Sequence, residues 1–396
     1  MARPLARRGA VIVALALLSA LAGVRADCPV SYGGSSKALL FGGLHDASCT
    51  VQRSGMACPF RSPKWRDMCR YDPSAVKFPV CSADQAKASL ELATKLHGGE
   101  PLRLSPCDLY PYLRGRTLWI LGDSHGKQLF RALQCFMVDM WPGQTECKVS
   151  NSTELVARLD KLPMMPGESK CIHLLGNGRV CYVGVVLGTS LLDNPQVAEN
   201  GVLNLLRREV ADPRDIFLIQ FGPWHNKLGP PGMEAHSRAL QVLGEDYERN
   251  RWRWPHVIWR ETPMTHDKDT LTKTCRPAPA GWTYDAANGR LQVAEAARSA
   301  AGALLARGGG INAPAHEILG RYGVPIMGGF AYSVPLHSAH IGLRGVSELD
   351  CLHYCSYGLP EIFLYELTRS LKNGMAGVQQ LNWVAPSERL PCTPLK

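Results

Sequence analysis

The residues best suited to chemistry lie at two distant points of the chain. Gly122-Asp123-Ser124 closes an apolar run, Thr117-Leu118-Trp119-Ile120-Leu121, and leads into a segment of helical spacing. A serine in such a strand-to-helix turn has its hydroxyl exposed, and the N-terminus of the following helix offers free N–H groups to a developing oxyanion. Asp350-Cys351-Leu352-His353-Tyr354-Cys355 precedes a second helical segment that begins near Leu359. A histidine that takes a serine proton needs a carboxylate to fix its tautomer and stabilise the imidazolium, and an aspartate three residues earlier reaches it on a turn. Together these residues suggest nucleophilic acyl chemistry, with Ser124 as nucleophile and Asp350 and His353 as partners. Each motif also has a plainer reading. Asp123 or Ser124 can simply cap a helix. His353 can be a satisfied loop histidine between structural cysteines, or a metal ligand with Asp350 and a cysteine.

The elements that must position these residues follow from hydrophobic patterning. From Arg114 onward, apolar strands alternate with helices, the pattern of a layered α/β domain. The expected strands are Thr117 to Leu121, Tyr182 to Leu187, Ile216 to Phe221, His256 to Trp259 and Val324 to Met327. Their runs are nearly all apolar, which implies a parallel sheet covered on both faces. The spacing predicts helices over Gln128 to Met140, Asp285 to Arg307 and Leu359 to Leu371. Residues 27 to about 110 are rich in Cys, Gly, Pro and Ser, with helical spacing only over Gln85 to His97, and read as a disulfide-stapled cap on a catalytic domain spanning 111–396.

Arg3, Arg7 and Arg8 precede an uncharged apolar run from Gly9 to Val24, followed by Arg25-Ala26. The run is shorter than the roughly 20 residues of a spanning helix and ends on a small-residue cleavage pattern. It is expected to be a signal peptide over 1–26, with an uncleaved membrane anchor as the alternative, so the rest of the chain is expected to be secreted or in the Golgi lumen. All 14 cysteines lie beyond it, an even number suited to complete pairing in an oxidising compartment. The chain has no C-x-x-C pair, which argues against structural zinc, and no metal or other cofactor is expected. Asn151-Ser152-Thr153 is an N-glycosylation sequon and predicts an exposed loop. The net charge of +10 includes the four leader arginines, leaving about +6, and the basic residues are scattered. With no nucleic-acid-reading motif, that excess reads as a solubilising surface, with acidic glycans or an anionic matrix as the other candidate partners.

The order of motifs resembles the PC-esterase group of SGNH-type proteins, and especially the trichome-birefringence-like polysaccharide O-acetyltransferases. The resemblance spans Cys107 to Leu367. Cys107-Asp108-Leu109 and Leu113-Arg114-Gly115-Arg116 lead into the Gly-Asp-Ser strand. Asp215 to Trp224 is similar to the family's apolar strand ending in Gly and Trp, and Trp259-Arg260-Glu261-Thr262-Pro263 through His266 to its Arg-Thr-x-Ser-Pro-x-His segment. Asp350-Cys351-Leu352-His353 completes the series. Where the family carries Arg-Asn shortly after the serine, this chain has Gly126, Lys127 and Gln128. The cap has only Trp65-Arg66 in place of a Trp-Arg-Trp-x-Pro signature, while Trp252-Arg253-Trp254-Pro255 lies elsewhere.

The resemblance implies an SGNH-hydrolase-like fold and acyl transfer from an ester donor to a polysaccharide hydroxyl through an acyl-serine. It also implies oxyanion donors at the N–H groups of Ser124 and Gly222, with Gln220, Asn226, Lys127 and Gln128 as side-chain candidates. Gly222 is equally well explained as a turn glycine, and His225 and His266 are better explained as surface or hydrogen-bonded histidines than as catalytic ones. Trp224, Trp252 and Trp254 are candidates for stacking on sugar rings, with burial the expected role of at least two. A glycan acetyl esterase and an inactive glycan-binding protein of the same fold are the alternatives.

Overall fold

The computed structural model describes residues 104–142, 145–192, 201–253, 255–278, 282–285, 290–293, 300–344, 348–355 and 358–381, together with 30–32 and 51–53. The expected leader, most of the expected cap and Trp254 lie outside the described residues.

Among the described residues six strands form the central sheet: β1 (Thr117–Gly122), β2 (Lys170–Leu174), β3 (Gly178–Gly184), β4 (Ile216–Gln220), β5 (His256–Arg260) and β6 (Ile326–Met327). Their spatial order is β6-β5-β4-β1-β3-β2, and all neighbours are parallel except the edge pair β3–β2. Period-two alternation turns each strand's apolar residues to both faces. Leu118, Ile120, Tyr182 and Leu218 join one core with Leu129, Phe130 and Leu133 of α2 (Ser124–Phe136) and Ile362, Phe363 and Leu367 of α8 (Leu359–Lys372). Trp119, Leu121, Phe217, Ile219 and Trp259 join the opposite core. There they meet α4 (Gly201–Glu209), α6 (Gly229–Asn250) and α7 (Gly309–Arg321). The remaining helices that matter here are α1 (Pro106–Leu113), α3 (Thr153–Leu159) and α5 (Pro223–Lys227). Buried Asp215 ties the strand starts together, accepting from the Thr117 N–H at 2.6 Å and the Trp119 indole at 3.0 Å. The α/β fold with a mostly parallel sheet flanked by helices is thus as the apolar runs implied.

Several elements differ in detail. The strand expected from Tyr182 begins earlier, because Arg179 is buried and donates to the Val149 carbonyl at 2.9 Å rather than marking a loop. Edge strand β2 was not foreseen; it lies antiparallel to β3 with Cys171 opposite Cys181, and the two form a disulfide. The helix expected over Asp285 to Arg307 is instead a hairpin, Trp282–Asp285 against Arg290–Val293, followed by a helix at Ala300–Ala306. The alternation Trp-Thr-Tyr-Asp and Arg-Leu-Gln-Val around Asn288-Gly289 favours that hairpin over the helical reading of the alanines. α2 starts at Ser124 rather than Gln128, and a single 3₁₀ turn, Val138–Met140, follows it.

A second hairpin, β7 (His340–Arg344) and β8 (Glu348–Tyr354), lies outside the main sheet and carries Asp350 and His353. Cys351 is bonded to Cys275, and Cys355 is also in a disulfide, so two separate bridges hold this segment. No described cysteine is free. Among the described residues no helix is long and apolar enough to cross a membrane, and no His, Cys, Asp and Glu group could hold a metal.

Candidate functional site

Ser124 is the first residue of α2, directly beyond the carboxyl end of β1. Asp123 caps the helix: its Oδ1 accepts the His125 N–H at 2.8 Å, so part of the helix-start demand for acceptors is met by the residue before the serine. Register places Gly122 between Gly184 of β3 and Gln220 of β4, so three strand ends converge beside Ser124. The Tyr182 hydroxyl reaches up from β3 and donates toward the carbonyls of Gly122 and Asp123 at 3.1 and 3.0 Å, bracing the turn.

From the other side, β8 delivers the histidine. Residues three apart on a regular strand face opposite ways, yet Asp350 and His353 must meet. A register shift resolves this: Asp350 pairs with Gly342 and Tyr354 with His340, so four residue steps on β8 match two on β7. Within the bulge Asp350 Oδ1 accepts the N–H groups of Leu352 and His353 at 3.0 and 2.9 Å, making the turn that the spacing suggested. Asp350 Oδ2 lies 2.8 Å from His353 Nδ1, and His353 Nε2 lies 2.7 Å from Ser124 Oγ. These residues, 229 positions apart at their extremes, form one continuous hydrogen-bonded chain. Asp350 is nearly buried, whereas His353 retains one-fifth of its side-chain exposure. Burial pushes the Asp350 carboxyl up, but the His353 ring and the two N–H groups outweigh it and hold it well below the usual carboxylate range. An ionised Asp350 accepting from Nδ1–H leaves the Nε2 lone pair of a neutral His353 facing the serine hydroxyl.

Neither models of known protein families nor curated proteins give a match to the chain.

The remaining candidates fall in different places. Gly222 follows β4 and precedes α5; its φ of 149° favours glycine, and a Cβ there would meet Ile311 Cγ2 at 2.2 Å. The Gln220 amide is fully engaged: Nε2 lies 3.1 Å from Asp123 Oδ2 and 3.0 Å from Thr262 Oγ1, while Oε1 accepts from Arg260 at 2.9 Å. No donor of Gln220 is left for an oxyanion unless this network rearranges. Lys127 is ion-paired with Glu168 at 2.6 Å, and Gln128 donates to the Tyr354 carbonyl, so both side chains are already engaged. Asn226 is exposed on α5. Asn151 is exposed ahead of α3, whose N-cap is Ser152.

His225 is buried with both nitrogens used: it accepts the Gly188 N–H at Nε2 (2.9 Å), and Nδ1 faces the Gly232 carbonyl (3.0 Å). His266 is likewise buried and hydrogen-bonded. Trp224 is partly exposed under the Lys227 ammonium at 4.6 Å from its ring centre, and Trp252 is 82% exposed.

Sequence patterning named Asp123, Gln220, Arg260 and Thr262 separately but missed Asn312 and the polar layer that they form together beneath the serine. Asp123, Gln220, Arg260, Thr262 and Asn312 are all buried and connected, ending where Asn312 Oδ1 accepts the Thr262 N–H at 2.9 Å. It also missed His125, whose buried ring stacks on that of His353 with centroids 5.6 Å apart. A polar residue closing an apolar strand, such as Gln220 or Arg260, was the available signal.

Proposed function

We propose that the protein is a serine-dependent acyl-transfer enzyme that moves an acyl group, taken to be acetyl, from an ester donor to a polysaccharide hydroxyl. The observation that carries the proposal is the unbroken Asp350–His353–Ser124 chain at the N-terminus of a 13-residue helix. The resemblance to the trichome-birefringence-like O-acetyltransferases supplies the acyl group and the acceptor. The disulfides and the leader-like N-terminus are compatible with a secreted or Golgi-lumenal setting, where such glycans are built.

Ser124 Oγ attacks the donor carbonyl carbon while His353 Nε2 takes the hydroxyl proton, and Asp350 stabilises the resulting imidazolium. The tetrahedral oxyanion is received by the N–H groups of Ser124 and Gly222, from two adjacent strand ends. On collapse the donor alcohol leaves with the proton held by His353. An acceptor hydroxyl then attacks the acyl-serine, giving its proton to His353, which returns it to Ser124 Oγ as the new ester departs. Water in place of the acceptor makes the same site an esterase.

The test has two arms. A fluorophosphonate probe should label wild type and leave Ser124→Ala unlabelled. Purified protein incubated with an acetyl-ester donor, with and without oligosaccharides, is then followed by mass spectrometry. Acetylated oligosaccharide that requires Ser124 supports transfer; free acetate unaffected by any acceptor replaces the proposal with the esterase reading. A folded wild-type chain that resists the probe and turns over no ester refutes both.

A further inference from the structure

Behind His353 lies a second pair of imidazoles that the proposed reaction does not use. His340 Nδ1 lies 3.0 Å from the His353 carbonyl oxygen, His340 Nε2 lies 2.7 Å from His266 Nδ1, and His266 Nε2 lies 2.9 Å from the Val334 carbonyl oxygen. Both rings are buried. The two ends of this relay are carbonyls, which only accept, so His340 Nδ1 and His266 Nε2 must both carry protons. The N···N contact between the rings needs one proton more. Three hydrogen bonds therefore require three protons, whereas two neutral imidazoles bring two. With two, either bare lone pairs face each other at 2.7 Å or one outer bond is given up.

We infer that His266 and His340 act as one proton-linked positioning unit for His353, holding its carbonyl firmly when the pair carries three protons and giving up a contact when it carries two. This rests on reading His353 as the catalytic base. The pair is well placed for such a role. The His266 N–H donates to the Cys351 carbonyl at 3.1 Å, and the Cys275–Cys351 disulfide pins the same strand, so the His340 contact adds a grip at the residue that meets Ser124.

The surroundings pull in both directions. Burial favours the neutral rings, pushing His340 down to about 3 with His266 as the next cause, and it lowers His266 as well. Asp350 on β8 and Asp267 beside His266 favour the added proton, as does the Tyr354 ring, 4.0 Å from the His340 ring centre. His353 on β8 and His125 on α2 oppose a charge on His340, as does His337 of the turn His337–Ala339, whose ring lies 6.1 Å from that of His266. The extra proton therefore enters as pH falls, closing all three bonds, and leaves as pH rises.

The full-length protein labelled with ¹⁵N-histidine reports the pair directly by NMR from about pH 8 down to about pH 2.5, a range that covers the lowered value of His340. His340→Asn and His266→Gln assign the signals. The expected result is uptake of one proton by the two rings together, with His266 Nε2 and His340 Nδ1 protonated in the acid form. Two rings that keep fixed neutral tautomers throughout overturn the proton linkage.

Fluorophosphonate labelling of Ser124 tests the positioning. In Asn the amide nitrogen sits as many bonds from Cα as Nδ1 does, whereas in Gln it sits as far out as Nε2. His340→Asn can therefore keep the donor to His353, and His340→Gln cannot. Asn should be labelled at least about 10-fold faster than Gln, the order expected from misplacing a catalytic group by less than 1 Å. Equal rates for the two folded variants overturn the positioning role. If wild type is not labelled, the proposed function fails while the NMR titration still decides whether the pair shares a proton.

Discussion

Arg260→Met probes the buried layer on which Ser124 stands. The Arg260 guanidinium is almost completely buried and donates to Gln220 Oε1 at 2.9 Å, and the other end of that amide reaches Asp123 Oδ2 at 3.1 Å. Burial lowers the arginine to about 10, still charged at neutral pH, with Asp123 its principal electrostatic support. Removing it leaves Gln220 Oε1 without this donor, a cost of about 1–3 kcal/mol, and Asp123 without a countercharge. The sum should approach the 3–5 kcal/mol or so that follows when one partner of a buried pair is deleted. Asp123→Asn alone also destabilises, because the new amide donor faces the Gln220 donor, and Arg260 prevents that side chain from flipping. In Arg260→Met/Asp123→Asn the flip is no longer blocked, since Thr262 Oγ1, which accepts from Nε2, can turn its proton from the long 3.4 Å contact with the Phe221 carbonyl to Oε1. The double variant should therefore recover about 1–2 kcal/mol relative to the sum of the singles. Urea unfolding followed by tryptophan fluorescence, with disulfides intact, measures all four chains. A single-variant loss below about 1 kcal/mol, or strict additivity in the double, would refute this account of the layer.

Further expectations concern chemistry, packing and pH. If the proposed function holds, Ser124→Ala and His353→Ala should each lower ester turnover on the order of 10³-fold or more without loss of the folding transition, because members of such a triad act as a unit. Gly222→Ala should cost roughly 1–3 kcal/mol by urea unfolding, since its Cβ meets Ile311 Cγ2 at 2.2 Å, and Ile311→Ala in the same chain should restore part of it. Asp350 is held below its unfolded value, so its contribution is complete above about pH 4 and fades as pH falls through the folded value. The stability gap between wild type and Asp350→Asn should accordingly be widest at neutral pH and narrow in acid. His236, fully buried and pushed down to about 4 by burial and then by His225, binds its proton more weakly in the folded chain. Stability should rise by about 3 kcal/mol from this group between about pH 4 and 6.5, and His236→Phe should remove that part of the profile.

The sheet was readable because its strands are buried on both faces, which leaves continuous apolar runs such as Ile216 to Gln220 with little else to mean. Helix α8 was readable for the same kind of reason, since its apolar positions recur at one spacing against one core. Reading failed where polar residues or helix breakers sit inside elements. Arg179 hid the start of β3, and the opening Gly229-Pro230-Pro231-Gly232 hid the 22-residue α6, although proline is tolerated in a first helical turn. The alanines after Asp285 suggested helix, while the information lay in Asn288-Gly289 and in the alternation on either side of it.

The same contrast holds at the candidate site, and it explains why the parts differ in legibility. Ser124, Asp350 and His353 could be named as candidates because a nucleophile, a base and a carboxylate are constrained by type and by local spacing, and the structure brings the three into one hydrogen-bonded chain. Asp350 reaches His353 within one turn, which a sequence can display. The groups that hold them are constrained only in space. Gln220, Arg260, Thr262 and Asn312 come from two strand ends and a helix, and nothing in their local sequence states that they meet. His340 is legible only through the register shift that sets two residue steps of β7 against four of β8. Since that shift also brings Asp350 and His353 together, the bulge serves both the chain to Ser124 and the imidazole relay behind it. A one-residue deletion in β8 between Asp350 and His353 should therefore abolish probe labelling and the shared-proton signal together, whereas His340→Gln should abolish the signal and only slow the labelling.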